Sequence, residues 1–238
     1  MSKKRTIENI EKNINRAISA ISMILKKIYH TDPLRADKIS FWLRDYANYL
    51  DFEIKFKPDR FKNYKRGDII KVNFGFRLGC ELGGLHYAVV LNDNAIKSPM
   101  LTVIPLSSKK DNTALNKLPP DRLFLGNEIF EQILTKCENQ LSTLRNELDV
   151  FEDEEVQLLD EKKLNILKKK YINTQKVYDE IKKLNFGSIA VIGQITSISK
   201  MRIQDPQSNS DVLSGIRLSK NNLDNIDLKI NELFTNNS

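Results

Sequence analysis

The chain has few of the side chains that build metal centres. It holds two cysteines, Cys80 and Cys137, and two histidines, His30 and His86, in 238 residues. Neither pair has metal-ligand spacing, so no zinc site or other cofactor is expected. No apolar run approaches the ~20 residues a membrane helix needs. The basic start "MSKKRTIENI" is not followed by an apolar signal-peptide core, which makes a cytoplasmic location the default. Glycine is scarce, at nine residues, yet Gly75, Gly79, Gly83 and Gly84 crowd into "NFGFRLGCELGGLHYAVVLND". Flexibility is thus concentrated just ahead of the most strand-like segment.

What is present is ordinary soluble chemistry, with 40% apolar and 29% charged residues, enough for one or two domains with a real core. The net charge of +7 suits a polyanion partner without requiring one. Its placement is more informative. Between Lys55 and Arg77, basic residues interleave with Phe56, Phe61, Tyr64, Phe74 and Phe76. Cations can neutralise phosphates and aromatic faces can stack on unpaired bases. A solvated linker leading into an amphipathic strand has the same composition.

Residues 1–52 form an N-terminal helical segment by pattern. Ile7, Ile10, Ile14, Ala17, Ile21, Ile24 and Ile28 recur at three- and four-residue steps. "HTDPL" breaks the stripe, with Thr31 or Asp32 as N-cap and Pro33 at the first helical position, and a second helix runs to about Leu50. From Asp68 the texture becomes strand-like: "DIIKVNF", "LHYAVVL", "MLTVIPLS" and a short strand ending near Gly126 predict an antiparallel sheet or small barrel. From Asn127 to Asn185 there is no glycine and no proline. Heptad-like seams through Ile133–Leu148 and Leu164–Ile181 predict an antiparallel, coiled-coil-like helical hairpin, turning at "DVFEDEE"; one long bent helix is the alternative. Strands resume in "SIAVIGQITSISKMRI", and a helix capped by Ser219 closes the chain. The expected organisation is therefore 1–52, a domain of 53–126 and 186–238, and an inserted hairpin over 127–185.

Four segments in order resemble the MazF/PemK-type toxins, the ribosome-independent endoribonucleases of toxin–antitoxin pairs. They are Arg66-Gly67-Asp68 with the glycine loop ending at Gly83-Gly84; "SPMLTVIPLSSK"; "LPP" with "DRLFLG"; and "SIAVIGQITSISKMRI". The resemblance covers residues 64–126 and 186–235. It implies an α+β fold: a small antiparallel SH3-like (MazF/CcdB-type) β-barrel with a C-terminal helix, here with extra N-terminal and inserted helices. It also implies a homodimer, a cognate antitoxin and single-stranded RNA as partners, and metal-independent cleavage by attack of a ribose 2′-hydroxyl on the adjacent phosphate. The glycine loop becomes the mobile segment between the first two strands, where glycine permits positive φ and close approach.

Such chemistry needs a base, donors to the phosphorane oxygens and an acid. Carried over from the resemblance, the reacting positions are His86 and Ser107. His86 stands where the family usually has arginine, so titratable imidazole replaces a permanent forked cation. The fixed charge must then come from elsewhere, first from Arg77 and next from Arg66. Expected RNA contacts are Arg66, Lys71, Gly83, Gly84, Ser108, Lys109 and Gln194, with Gln194 read as a scaffold or groove residue. Glu81 is a candidate base if His86 is the acid. Each has a plainer reading: a hydrogen-bonded strand histidine, a turn serine, a solvated loop carboxylate. Two rival functions remain open on sequence. One is a catalytically inactive barrel that binds nucleic acid or protein; the other is a toxin with a different target, as in the related barrel that acts on DNA gyrase.

Overall fold

The computed structural model describes residues 7–110, 114–149, 151, 161–183 and 187–235. The chain divides into two compact units at the Phe56–Lys57 junction. The first holds α1 (Ile7–Thr31) and α2 (Pro33–Glu53). Asp32 caps α2 by accepting a 3.0 Å hydrogen bond from the Arg35 amide, with Pro33 at the first helical position. Ile7, Ile10, Ile14, Ile21 and Ile24 of the α1 stripe lie exposed, and the helix has no buried residue.

The second unit contains β1 (Ile69–Asn73), β2 (Leu85–Val90), β3 (Met100–Ser108), β4 (Arg122–Phe124), α3 (Glu128–Asp149), α4 (Glu161–Lys183), β5 (Ser188–Val191), β6 (Thr196–Ser199), β7 (Ile203–Asp205) and α5 (Lys220–Phe234). Ser219 caps α5 through the Asn222 amide at 3.3 Å. The strands form one antiparallel sheet in the order β4-β5-β3-β2-β1-β7, with β6 also on β3. The "SIAVIGQITSISKMRI" segment is not one strand. Short 3₁₀ turns at Ile192–Gln194 and Lys200–Arg202 break it into β5, β6 and β7. β5 and β6 run along β3, and β7 then pairs with β1 at the far side.

The fold is therefore α+β as expected, but the sheet is not a closed barrel. No ladder joins β4 to β7 among the described residues. The chain itself crosses the gap elsewhere, passing from β6 on β3 to β7 on β1 through a single short turn.

Strand alternation sorts the core into two faces. Ile70, Val72, Ala88, Val90, Leu101 and Val103 pack on one side with Tyr64 and Phe74. Ile69, Val89, Ile104 and Leu106 face the helices on the other. Tyr64 is fully buried and its hydroxyl donates to the Pro206 carbonyl at 2.6 Å; Phe74 is 1% exposed. These two aromatics of the Lys55–Arg77 run are thus core residues, not faces free to stack on bases. The alternating pattern is that of a strand with one side inside.

The inserted segment does form an antiparallel helical pair. Glu138 meets Tyr178 and Arg145 meets Tyr171, so residue numbers rise on α3 as they fall on α4. Most of the turn expected at Asp149–Glu155 lies outside the described residues. The base of the pair is continuous with the sheet's core: Ile129, Ile133, Cys137 and Ile181 are buried with Ile69 and Val89. Only the outer part has its own cluster, around Leu144, Phe151, Leu164 and Leu167. The hairpin is thus rooted in the core rather than attached as a separate body. Among the described residues no helix is long and apolar enough to cross a membrane.

Candidate active site

The hairpin between β1 and β2 carries the glycine loop. Phe74 donates to the Gly84 carbonyl at 2.8 Å and Gly84 donates to the Gly75 carbonyl at 2.7 Å, which closes its neck. Gly84 has φ +88°, a conformation that side chains resist. At Gly83 the need is space, since a Cβ there would meet the Gly75 oxygen at 2.7 Å. The tip is pinned from across the fold. Gln194 accepts from the Leu82 amide at 2.6 Å and donates to the Cys80 carbonyl at 3.1 Å. Both ends of its amide are spent on this loop, which makes it a scaffold residue here.

Where the loop returns into β2, a cavity of about 170 Å³ opens. It is lined by Lys71, His86, Ser107, Ser108, Ser188 and Glu180, with Tyr87 and Phe130 among its walls. Register explains the meeting of His86 and Ser107. Ala88 pairs with Pro105 and Val90 with Val103. The same antiparallel register carried two residues further sets His86 across from Ser107, on one face of the sheet. Ser108 pairs with Ser188 on the next strand, and by the same alternation these two hydroxyls belong to the opposite face of the sheet from His86 and Ser107.

The electrostatics favour a neutral imidazole. Burial pushes the His86 pKa below its usual 6.5, while hydrogen bonding to the backbone of Leu106 and Gly83 opposes the shift. Lys71 is the cation of the cavity. Its ammonium sits 2.9 and 2.8 Å from the two carboxylate oxygens of Glu180 and 5.3 Å from the Tyr87 ring centre. Burial, then the Glu180 charge, pushes the Tyr87 phenol well above its ordinary range.

The remaining expected residues lie elsewhere. Arg77 does not line the cavity; its guanidinium stands 5.4 Å over the Phe74 ring. Arg66 lies towards the opposite end of the β1–β2 pair. It donates to the Leu91 carbonyl at 2.6 Å and pairs with Asp227 of α5 at 2.6 Å. Lys109 follows Ser108 out of the strand, and its amide donates to the Gly187 carbonyl at 2.8 Å. Glu81 is exposed in the glycine loop and does not line the cavity. Among the described residues no group of three or more His, Cys, Asp or Glu side chains is placed to hold a metal ion.

Glu180 and Ser188 were missed in sequence. Glu180 sits on the exposed face of an ordinary helical pattern, and nothing local marks it. Ser188 opens a strand and reads as a boundary residue.

Residues 65–173 match the family described as the PemK-like, MazF-like toxin of type II toxin–antitoxin systems. That match takes in the glycine loop, β1 to β4, α3 and the first half of α4. No curated protein matches the chain. Members of the family are endoribonucleases, and a type II toxin implies an RNA substrate and an antitoxin partner. Through residues 65–173, a little under half of its length, the chain is thus similar to the PemK-like, MazF-like toxins of type II toxin–antitoxin systems.

Proposed function

We propose that the protein cleaves single-stranded RNA by 2′-hydroxyl transesterification at the His86–Ser107 cavity. The carrying observation is the convergence of a half-buried imidazole and strand-end hydroxyls in one cavity of a toxin-family domain. Neutral imidazole is the form that accepts a proton, and burial of His86 favours that form. In the reaction His86 takes the 2′-hydroxyl proton. The 2′-oxygen bonds to phosphorus, the bond from phosphorus to the 5′-oxygen breaks, and the leaving oxygen takes a proton from solvent. The products are a 2′,3′-cyclic phosphate and a 5′-hydroxyl. Ser107 donates to a phosphate oxygen, and Lys71 supplies positive charge within the cavity. In this reading Arg77 contacts RNA from the glycine loop rather than from the cavity. An SH3-like arrangement of the sheet, a homodimer with a groove across it, and a cytoplasmic site of action complete the proposal.

The test is incubation of the purified protein with a long single-stranded RNA in chelator, followed by mapping of new 5′ ends. Discrete cuts that carry 5′-hydroxyls are expected. Intact RNA in the presence of RNA or protein binding selects the inactive binding domain instead.

A further inference from the structure

The cavity that should receive a phosphate already holds an anion. Glu180, in the last turns of α4, places both carboxylate oxygens within 2.9 Å of Lys71, and the same carboxylate lies 3.5 Å from the Tyr87 hydroxyl. The two sides of the pair differ. The Lys71 side chain is 16% exposed, whereas that of Glu180 is 44% exposed. Lys71 is thus fixed in the wall of the cavity, and Glu180 reaches it from the solvent side. The reach comes from the inserted hairpin, whose Phe130 also lines the cavity.

We propose that Lys71 is a phosphate-binding residue and that Glu180 occupies it as an internal anion, so that RNA enters by exchanging a backbone phosphate for the carboxylate. The proposal rests on the RNA reading above. A carboxylate and a phosphate compete for one ammonium because each offers paired anionic oxygens at the same hydrogen-bond distance. While Glu180 stays in place it also opposes an incoming phosphate by like charge. The inserted hairpin therefore sets the threshold for substrate entry at the site it overhangs. The mechanism needs no large motion: an exposed glutamate can rotate away from Lys71 by side-chain rotamers alone.

The experiment uses the full chain and a fluorescent 2′-O-methyl RNA oligonucleotide, which keeps the phosphates but lacks the attacking hydroxyl. Affinity is read by anisotropy in low salt. Glu180→Gln removes the anion and keeps the shape, and its Kd should fall about 2- to 5-fold, the scale of a partly exposed ion pair. Lys71→Gln should weaken binding, and adding Glu180→Gln to it should then change little, because the two effects act through one pair. Unchanged or weaker binding by Glu180→Gln overturns the proposal. So does failure of the wild type and of Glu180→Gln alike to bind the oligonucleotide. Unchanged affinity with a loss of cleavage on ordinary RNA also overturns it and makes Glu180 a reacting group. Tighter binding by Glu180→Gln with no cleavage of ordinary RNA by any variant sinks the nuclease reading and leaves the exchange intact.

Discussion

Gln194→Ala should loosen the glycine loop without unfolding the domain. The side chain makes two hydrogen bonds to the loop backbone, at Leu82 and Cys80. A hydrogen bond in a folded protein contributes a net ~0.5–1.5 kcal/mol. Losing two therefore costs local stability of roughly 1–3 kcal/mol, or about a 5- to 150-fold rise in the population of the open loop. Amide hydrogen exchange reads this directly, because locally protected amides exchange through such openings. The Leu82 amide, which donates to Gln194, is the reporter. The Val89 and Ile104 amides, in the sheet behind the loop, are the controls. Leu82 should exchange faster by that factor while the controls stay within a few-fold of wild type. Gln194→Glu keeps an acceptor for Leu82 but loses the donor to Cys80, so it should fall between. Leu82 exchange in Gln194→Ala equal to wild type would show that packing of Leu82 against the core holds the loop, and the assigned role of Gln194 would be lost.

His86→Ala should lower the cleavage rate by on the order of 10²-fold or more with little change in melting temperature; full activity would remove His86 from the chemistry. In the wild type, the rate should rise with pH through a value below 6.5 and level off by neutrality, because burial lowers the imidazole pKa; a rate flat across that range would argue against an imidazole base. Asp205, whose pKa burial raises from 3.8 to about 6, binds its proton more tightly folded than unfolded. Its contribution to stability is therefore present below pH 3.8 and lost as pH rises through about 6. Asp205→Asn keeps an acceptor for the Leu213 amide and should remove this loss, worth at most ~3 kcal/mol between pH 4 and pH 8, as read by denaturant titration against wild type at both pH values; parallel pH profiles would contradict it. Gly83→Ala forces a Cβ against the Gly75 oxygen and should disturb the loop, visible as shifted Phe74 and Gly84 amide resonances; an unshifted spectrum would show that the neck yields freely. Ile133→Ala, at the hairpin base, should cost about 2–5 kcal/mol by urea denaturation, whereas Leu167→Ala in the outer cluster should leave the sheet's exchange protection intact; equal loss of protection in both would make the hairpin one unit with the sheet.

Several parts of this molecule are legible residue by residue, because their causes are local. Asp32-Pro33 and Ser219 start helices through their own side chains and backbone, and the isoleucine stripe and heptad seams report helical period. The glycines of the loop mark positive φ and close approach, and the paired motifs around them carried the family. What sequence period cannot decide is which side of a strand lies inside, since alternation has two solutions until a partner arrives. Tyr64 and Phe74 became core for that reason, although their basic surroundings fit an RNA surface equally well. Tertiary structure also decided every pairing across long chain separation. Arg66 went to Asp227 at the far end of the strands, Gln194 went to the glycine loop, and Glu180 came back to Lys71 across 109 residues. A carboxylate on a helix carries no local sign of the cation it will meet. Only the rooting of the hairpin in the sheet's core, through Ile129, Ile133 and Ile181, brings Glu180 over the cavity of His86 and Ser107.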